Sequence, residues 1–337
     1  MTDSIHTKTN NFNCDKSQQK NKFNKQKNKK EKLVMNLITR SDFDGLACGA
    51  ILEDLGIVDT WQFVHPKDVQ DGIVTVTEND ILANVPYVPG CGLWFDHHSS
   101  EENRVSGIEF KGESRIEKSA ARIIYEYYGG KEKMPQFEEM IIAVDKVDSG
   151  DLSVDDILNP QGWVLLGFVM DPRTGLGRFQ DYTISNYSLM KELVVECRKN
   201  TIEEILDNPH VIERLKRYWE QNELFTQMLK EYTTTYGNVI VTDLRNVTPI
   251  YSGNRFLIYA IYPEQNISMW IVDGRGKQNA AIAIGHSILN RTSNTNVGEL
   301  CLKNNGGGHR QVGTCQVPYD DCDKVVKECV AQMNSEG

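Results

Sequence analysis

The sequence predicts an α/β protein, with a mostly parallel sheet joined by helices to a smaller α/β C-terminal domain. Three observations predict this architecture. Apolar runs of strand length alternate with helical patterns in the first half of the chain, as in parallel sheets with crossover helices. A highly charged helical stretch follows, and a second group of strand-like runs comes after it. The length of 337 residues is also long for one compact domain.

The first half contains short apolar strands. A polar loop, SDFDG, follows the first strand, and the helical pattern LACGAILEDLG follows that loop. Two further segments, EKSAARIIYEYYGG and QFEEMIIAVDKVDSGD, are predicted as helices. The predicted strands are Leu33–Thr39, Val58–Val64, Gly72–Thr77 and Cys91–Phe95.

The second half begins with two helical segments rich in charge, YSLMKELVVECRKN and VIERLKRYWEQNELFTQMLKEY. Four strand-like runs follow: NVIVTDL, RFLIYAIYP, NISMWIVDG and NAAIAIG. A short helix (VGELCLKNN), a glycine cluster, a strand (QVGTCQV) and a final helix complete the pattern.

These patterns divide the chain into four parts. Residues 1–32 are rich in Asn, Gln and Lys and have almost nothing to bury, so we expect a disordered basic tail rather than a secretory signal. Residues 33–187 form the first α/β domain, 188–234 a helical connector, and 235–337 the smaller C-terminal domain.

The composition restricts the classes of function. A formal net charge of −10 argues against a broad basic surface for duplex nucleic acid, although a local cluster could hold a small phosphate compound. No apolar run reaches the roughly 18–20 residues that span a bilayer. Eight scattered cysteines without a C-x-x-C pair suit reduced thiols. We therefore expect a cytoplasmic protein that does not contact membranes.

Acidic residues and histidines follow apolar elements of the first domain. Ligands of open α/β sheets lie beyond the carboxyl ends of the strands, so we expect these side chains to converge there. Carboxylates with one or two imidazoles suit Mn²⁺, Mg²⁺, Fe²⁺ or Zn²⁺, and close carboxylates repel one another without a cation. Taken singly, each cluster has a simpler interpretation, such as a helix cap, a turn residue or a solvated surface. The clusters are Asp42 with Asp44, Asp80, Asp96 with His97 and His98, and Asp145 with Asp148.

Four segments in this order, SDFDG, NDI, FDHHSS and VDSGD, resemble the motifs of the DHH phosphoesterase family. The segment NNGGGHRQVGTCQV resembles the glycine-rich signature of the C-terminal domain associated with that family. Stretches such as HPKDVQDG and DPRTGLGRF are most similar to its exopolyphosphatase-like branch. The resemblance covers nearly all of the chain after the tail. It implies a metal-binding catalytic domain followed by a substrate-binding domain.

The resemblance implies roles for the matching residues. His98 would contact the phosphate or the leaving group, and Asp96 would orient the two histidines. Glycines let backbone N–H groups approach an anion, and a neighbouring histidine can donate to a phosphoryl oxygen. The implied metal ligands are Asp42, Asp44, Asp80 (as a shared ligand), His97 and Asp148, with Asp145 as the alternative to Asp148. The candidate substrate contacts are Gly306, Gly307, Gly308, His309 and Arg275, with Arg310 as a further candidate.

The chain departs from the family pattern at the start of the first motif. The family usually has a histidine or aspartate three or four residues before the paired acids, whereas this chain has Thr39 and Arg40. Neither is a good metal ligand, so one metal site would be weakened or completed by another group. His65, after the second predicted strand, is as consistent with a structural or substrate-facing role as with ligation.

The resemblance implies a hydrolase that uses one or two divalent ions, with Mn²⁺ preferred and Mg²⁺ as the alternative. Exopolyphosphatase-like activity is the first prediction, and oligonucleotides, cyclic dinucleotides or a 3′-phosphoadenosine nucleotide are alternatives. The sequence has no evident aromatic stacking platform, which favours a substrate without bases. A non-catalytic phosphate- or nucleotide-binding regulator is the alternative of another class. We expect a small phosphate-rich partner and no stable duplex nucleic acid; a homodimer is left open.

Overall fold

The computed structural model describes residues 35–337, apart from the side chains of Glu102 and Asn103, and residues 35–337 form one compact unit. The predicted disordered tail, residues 1–32, lies outside the described residues. A parallel sheet of five strands is followed along the chain by a mixed sheet of six. The predicted fold class, a mostly parallel α/β domain joined by helices to a smaller α/β domain, is confirmed. The boundaries at residues 187 and 234 stay predictions.

The first sheet has the strand order β2-β1-β3-β4-β5, and all neighbouring strands are parallel. Strand β1 lies inside the sheet, between β2 and β3, and its residues 37–39 are buried, as expected of a strand covered on both faces. Thr39 of β1 lies opposite both Phe63 and Ala83, so the carboxyl ends of three strands are aligned. The strands are β1 Met35–Arg40, β2 Val58–Val64, β3 Asp80–Ala83, β4 Leu93–Asp96 and β5 Gly112–Ser114.

Eight helices follow or connect these strands. The first begins after Asp42, whose carboxylate accepts a hydrogen bond from the Gly45 amide at 3.0 Å. Residues 43–52 of this helix are all buried, so it is enclosed on every side. The helices are α1 Phe43–Asp54, α2 Pro66–Gln70, α3 Ser99–Arg104, α4 Ala120–Tyr127, α5 Gly130–Lys133, α6 Glu138–Ser149, α7 Val154–Leu158 and α8 Gly162–Met170.

Three helices lie in the region predicted as the connector: α9 Asn186–Lys199, α10 Ile202–Leu206 and α11 Pro209–Tyr232. Helix α9 packs on α1, where Val194 faces Gly49. Helix α11 leads directly into the second sheet. Within residues 35–337, no helix combines the length and the apolar character that crossing a membrane requires.

The second sheet has the order β10-β11-β9-β8-β7-β6, and only β7 and β8 are parallel neighbours. One face is buried under α13 and α14 by an apolar cluster. The other face, through Ile240 and Trp270, packs on the core that also contains β1 and α1. The elements are β6 Thr233–Tyr236, β7 Val239–Asp243, α12 Leu257–Ile261, β8 Ile267–Asp273, β9 Asn279–His286, α13 Val297–Lys303, β10 Gly307–His309, β11 Val312–Pro318 and α14 Cys322–Glu336.

Two predicted strands are wrong. Residues 72–77 lie in turns and irregular structure, because the place beside β1 is taken by the short buried strand Asp80–Ala83. The segment RFLIYAIYP contains helix α12 instead of a strand. A short continuous apolar run suits a buried helix as well as a buried strand, so periodicity cannot separate the two.

Gly45 permits α1 to start close to the end of β1. A Cβ at this position would lie 2.0 Å from the Arg40 carbonyl oxygen, which is backbone and cannot move aside. We expect Gly45→Ala to destabilise the protein by about 3 kcal/mol or more, measured by chemical denaturation. Gly49→Ala, in the same helix, would meet only side-chain atoms, of Val194 at 3.1 Å and Leu37 at 3.6 Å, and should cost less than about 1 kcal/mol. Equal losses in the two variants would contradict this account.

Candidate active site

The carboxyl ends of β1, β3 and β4 lie side by side at one edge of the first sheet. The chain passes from β1 to β2 on one side and then crosses to β3 on the other side of β1. Open α/β sheets bind ligands at such a topological switch point. Asp42 and Asp44 follow β1, Asn84 follows β3, and His97 follows β4. The first and third sequence motifs therefore meet at this edge.

Asp44, His97 and Asp148 form a group whose ligand atoms lie within 4.8 Å of one another. His97 Nε2 is 3.3 Å from Asp148 Oδ2 and 3.8 Å from Asp44 Oδ2. It is the one group of three or more metal-ligating side chains found in residues 35–337. We call these three residues the ligand triad.

The ligand triad fits a divalent cation. His97 Nδ1 lies 3.2 Å from the Glu117 carbonyl oxygen. That carbonyl accepts a hydrogen bond from Nδ1, so Nε2 presents its lone pair to the two carboxylates. Nε2 is buried and has no hydrogen-bond partner. A lone pair between two carboxylates is unfavourable without a cation, and this donor set suits Mn²⁺ or Mg²⁺.

Asp44 is held by the first turn of α4. Its Oδ2 accepts a hydrogen bond from the Ala120 amide at 3.0 Å, and Oδ1 accepts one from the Ala121 amide at 2.7 Å. Burial raises the pKa of Asp44 to about 7; His97 opposes that rise and the neighbouring Asp148 adds to it. The helix N-terminus thus fixes a carboxylate that a bound cation would keep ionised.

Asp42 lies beside the ligand triad but is engaged by the protein. Its Oδ1 accepts hydrogen bonds from the Gly45 amide and from Asn84 Nδ2, both at 3.0 Å. Its Oδ2 is 3.0 Å from Arg40 Nε. Burial raises the pKa of Asp42, and Arg40 opposes that rise. Asp42 caps α1, as its simpler interpretation predicted. Its role as a metal ligand stays a prediction.

The structure corrects the role predicted for Asp80. This residue starts β3 opposite Asn36, so it lies at the amino ends of the strands and away from the ligand triad. Its carboxylate accepts hydrogen bonds from Asn36 Nδ2 at 2.9 Å and from the Thr77 amide and hydroxyl at 2.7 and 2.8 Å. At the other end of the same strand, Asn84 faces Asp42. The sequence did not identify Asn84, because β3 has only four residues and its register against β1 cannot be predicted from so short a run.

Asp96 orients one histidine rather than both. His98 Nδ1 is 2.9 Å from Asp96 Oδ1, and the His98 amide donates to Asp96 Oδ2 at 3.3 Å. Burial opposes the charged imidazole, but the hydrogen bond to Asp96 and the nearby carboxylates outweigh it and raise the pKa of His98. His97 is oriented by the Glu117 carbonyl instead.

Asp145 is bound away from the ligand triad. It accepts a hydrogen bond from Ser119 Oγ at 2.7 Å and bonds from Arg122 Nε and Nη2 at 2.8 and 2.6 Å. Ser119 in turn caps α4. Asp145 therefore fixes the helix start whose amides hold Asp44, whereas Asp148, one turn later on α6, reaches His97.

A cavity of about 920 Å³ opens beside Asp148 and extends to β8 and β9 of the second sheet. Aromatic side chains form part of its wall, and the Phe225 and Trp270 rings are stacked with centroids 6.2 Å apart. This contradicts the expectation of a site without an aromatic platform. The cavity is also lined by Phe256, Tyr259, Arg173, Arg178, Arg255, Arg291 and Arg310.

The cavity wall is tied to the chain just after Asp148. Arg291 Nη2 donates to the Gly150 carbonyl at 3.0 Å. Gly150 has a left-handed backbone (φ 68°), and a Cβ there would lie 3.0 Å from Ile288 Cγ2. The cavity wall is therefore attached to the backbone two residues after Asp148.

Sequence reasoning assigned no role to Arg173 and Arg255, which flank Asp148 in the cavity. Arg173 Nε is 2.8 Å from buried Asp171. Burial lowers the pKa of Arg255 to about 10, helped by Arg173 and opposed by Asp171. The sequence feature that could have pointed to Arg173 is the segment DPRTG, which contains it.

The glycine-rich segment lies in the β10–β11 hairpin, next in the chain to cavity residues 310–312. Arg310 lines the cavity, whereas residues 306–309 do not. A Cβ at Gly306 or Gly308 would collide with the β11 backbone, so close strand packing already requires these glycines. Phosphate contacts by Gly306, Gly307, Gly308 and His309 stay a prediction. Arg275 is exposed and lies outside the cavity lining, and His65 caps α2 through the Lys67 amide.

The fold and sequence are similar to those of a solved pGpG-specific phosphodiesterase, PggH from Vibrio cholerae. Identity is 45%, the match covers 90% of this chain and 100% of the other, and the TM-score is 0.80. A solved DHH domain from a member of a family of ribosomal proteins has a similar fold, with 12% identity, coverage of 89% and 86%, and a TM-score of 0.54. No protein-family model and no curated protein matches this sequence.

Asp145→Ala tests whether the α4 start supports the ligand triad. Losing the bonds to Ser119 and Arg122 should loosen the amides that hold Asp44, and we expect Mn²⁺ affinity to fall about 10-fold or more. Titration with Mn²⁺ measures the change. Asp151→Ala is the control, because it removes only an exposed ion pair with Lys118. Unchanged affinity in a folded Asp145→Ala protein would count against this support.

Proposed function

This chain belongs to the DHH phosphoesterase family and is a hydrolase of phosphoester bonds, and from this premise we propose that its substrate is pGpG, a short linear dinucleotide. The proposal concerns the substrate and the residues that act on it. Because the chain is a hydrolase, the alternative prediction of a non-catalytic phosphate- or nucleotide-binding regulator is not retained.

The cavity beside Asp148 is the observation that carries the proposal. At about 920 Å³ it is near the upper end of the ~300–1,000 Å³ of small-molecule sites. Phe225, Trp270 and Tyr259 offer apolar and aromatic surface, on which nucleobases stack. Several arginines in the same wall suit the phosphate groups of a nucleotide.

The similarity to the Vibrio cholerae enzyme supports the same substrate. That protein is a pGpG-specific phosphodiesterase, and this chain matches its whole length at 45% identity. Exopolyphosphatase-like specificity stays a prediction. A polyphosphate chain has no apolar surface, so it would leave the aromatic wall of the cavity unused.

The ligand triad would hold the divalent cation, Mn²⁺ with Mg²⁺ as the alternative. A cation there would polarise a phosphoryl oxygen and lower the pKa of an attacking water. The Ala120 and Ala121 amides hold Asp44 in place, and the Glu117 carbonyl orients His97. These fixed contacts preorganise the site before substrate binds.

The remaining groups of the site would handle the proton and the phosphate charge. His98 engages Asp96 through Nδ1, so Nε2 is the atom that would hold a proton for the leaving oxygen. Arg173 and Arg255 would face the phosphoryl group from the cavity side. A cytoplasmic location and a homodimer also stay predictions from the sequence.

Substitutions test whether the ligand triad is needed for turnover and Asp80 of the NDI motif is not. We expect Asp44→Asn and His97→Ala to lower pGpG turnover by at least about 1,000-fold, because each removes a cation ligand. Asp80→Asn should leave turnover per folded molecule within about twofold, because Asp80 lies at the opposite edge of the sheet. Initial rates of GMP release measure both. Loss of turnover in a folded Asp80→Asn protein would contradict the placement of the site.

A substrate panel tests the proposed function. Protein stripped of metal and resupplied with Mn²⁺ should release GMP from pGpG, with much slower hydrolysis of polyphosphate, a cyclic dinucleotide and a 3′-phosphoadenosine nucleotide. Trp270→Ala should raise KM for pGpG about 5- to 150-fold, equivalent to about 1–3 kcal/mol for one stacked base.

Trp219→Ala is the matched control for this experiment, because Trp219 is an exposed residue of α11 outside the cavity lining. Preference for polyphosphate, together with an unchanged KM in Trp270→Ala, would overturn the nucleotide assignment and favour the exopolyphosphatase prediction.

A further inference from the structure

The part of the active site around Asp42 offers few free ligands for a second cation. Thr39 is fully buried and its hydroxyl has no hydrogen-bond partner, and its carbon-bound hydroxyl is a poor ligand. Arg40 brings a positive charge to this side. At the carboxyl end of β3 the residue is Asn84, which turns its amide donor toward Asp42.

The two oxygens of Asp42 differ: Oδ1 accepts hydrogen bonds, whereas Oδ2 is buried without a hydrogen-bond partner and has the Arg40 guanidinium beside it. Oδ1 accepts from the Gly45 amide and from Asn84, and Oδ2 forms the ion pair with Arg40 at 3.0 Å. Asp42 is 3% exposed, so its charge needs a partner within the protein. Arg40 is that partner. Asp42 is also absent from the group of ligand atoms formed by the triad.

Within the ligand triad and the Arg40–Asp42 pair, the charges balance with one metal ion. Asp42, Asp44 and Asp148 carry three negative charges when ionised. One divalent cation in the ligand triad and the guanidinium of Arg40 supply three positive charges. Arg173 is paired with Asp171 and Arg255 lines the cavity, so neither belongs to this count.

We propose that Arg40 takes the electrostatic place of a second metal ion, so that the chain binds a single divalent cation in the ligand triad. Arg40 compensates the charge of Asp42 permanently, whereas a second ion would have to be recruited from solution. The inference rests on the location of the active site in the proposed function, but it does not depend on which phosphoester is cleaved.

Counting bound metal tests the inference without using turnover. Metal-stripped protein is titrated with Mn²⁺, and bound ions per chain are counted by calorimetry and by elemental analysis after gel filtration. We expect one ion per chain for the natural protein and for Arg40→Lys, which keeps the charge. We expect two for the double variant Arg40→Ala with Asn84→Asp, which removes the cation and adds a carboxylate beside Asp42.

Lys67→Ala is the control for loss of one positive charge, because Lys67 is exposed on α2 and paired only with Asp71 among its described contacts. It should bind one ion. Two ions in the natural protein would overturn the inference even if the double variant does not fold. One ion in a folded double variant would show that Arg40 and Asn84 do not set the count. A single ion in an enzyme that prefers another substrate would uphold the inference and refute only pGpG specificity.

Discussion

The proposed active site depends on two hydrogen bonds from the first turn of α4 to Asp44. They join the first turn of α1 to amides that lie 76 and 77 residues later in the chain. They also place a carboxylate where burial alone would favour its neutral form. Ser119 and Asp145 hold the helix start from the other side. His97 and Asp148 then complete a site around a group that the backbone has already fixed. The catalytic edge is thus built around one buried anion rather than a flexible acidic loop.

Much of the first domain could be predicted from the sequence. Strands β1, β2 and β4 are apolar runs of the right length, and the acids and histidines after them point to one edge of a parallel sheet. The acid in NDI could not be placed, because β3 has four residues and its direction relative to the site depends on register. The strand predicted at residues 72–77 would have placed Asp80 near its carboxyl end. The observed strand begins at Asp80, which therefore lies at the amino end. Asn84 was overlooked for the same reason.

The substrate cavity could not be predicted from local patterns. Phe225, Phe256 and Trp270 come from a helix, a loop and a strand, and only the packing of the second sheet against the first core brings them together. No short motif records such an arrangement. The glycine-rich segment was visible in the sequence, but its glycines are required first by the close pairing of β10 and β11.

The hydrogen bond between Arg291 and the Gly150 carbonyl couples the shape of the cavity wall to the position of the ligand triad. It fastens the substrate wall two residues after Asp148, so a mutation that reshapes the wall also displaces a member of the ligand triad. The same coupling holds at position 288, because the Ile288 side chain packs on Gly150. We therefore expect substitutions at position 288 or 291 to alter metal binding as well as substrate binding.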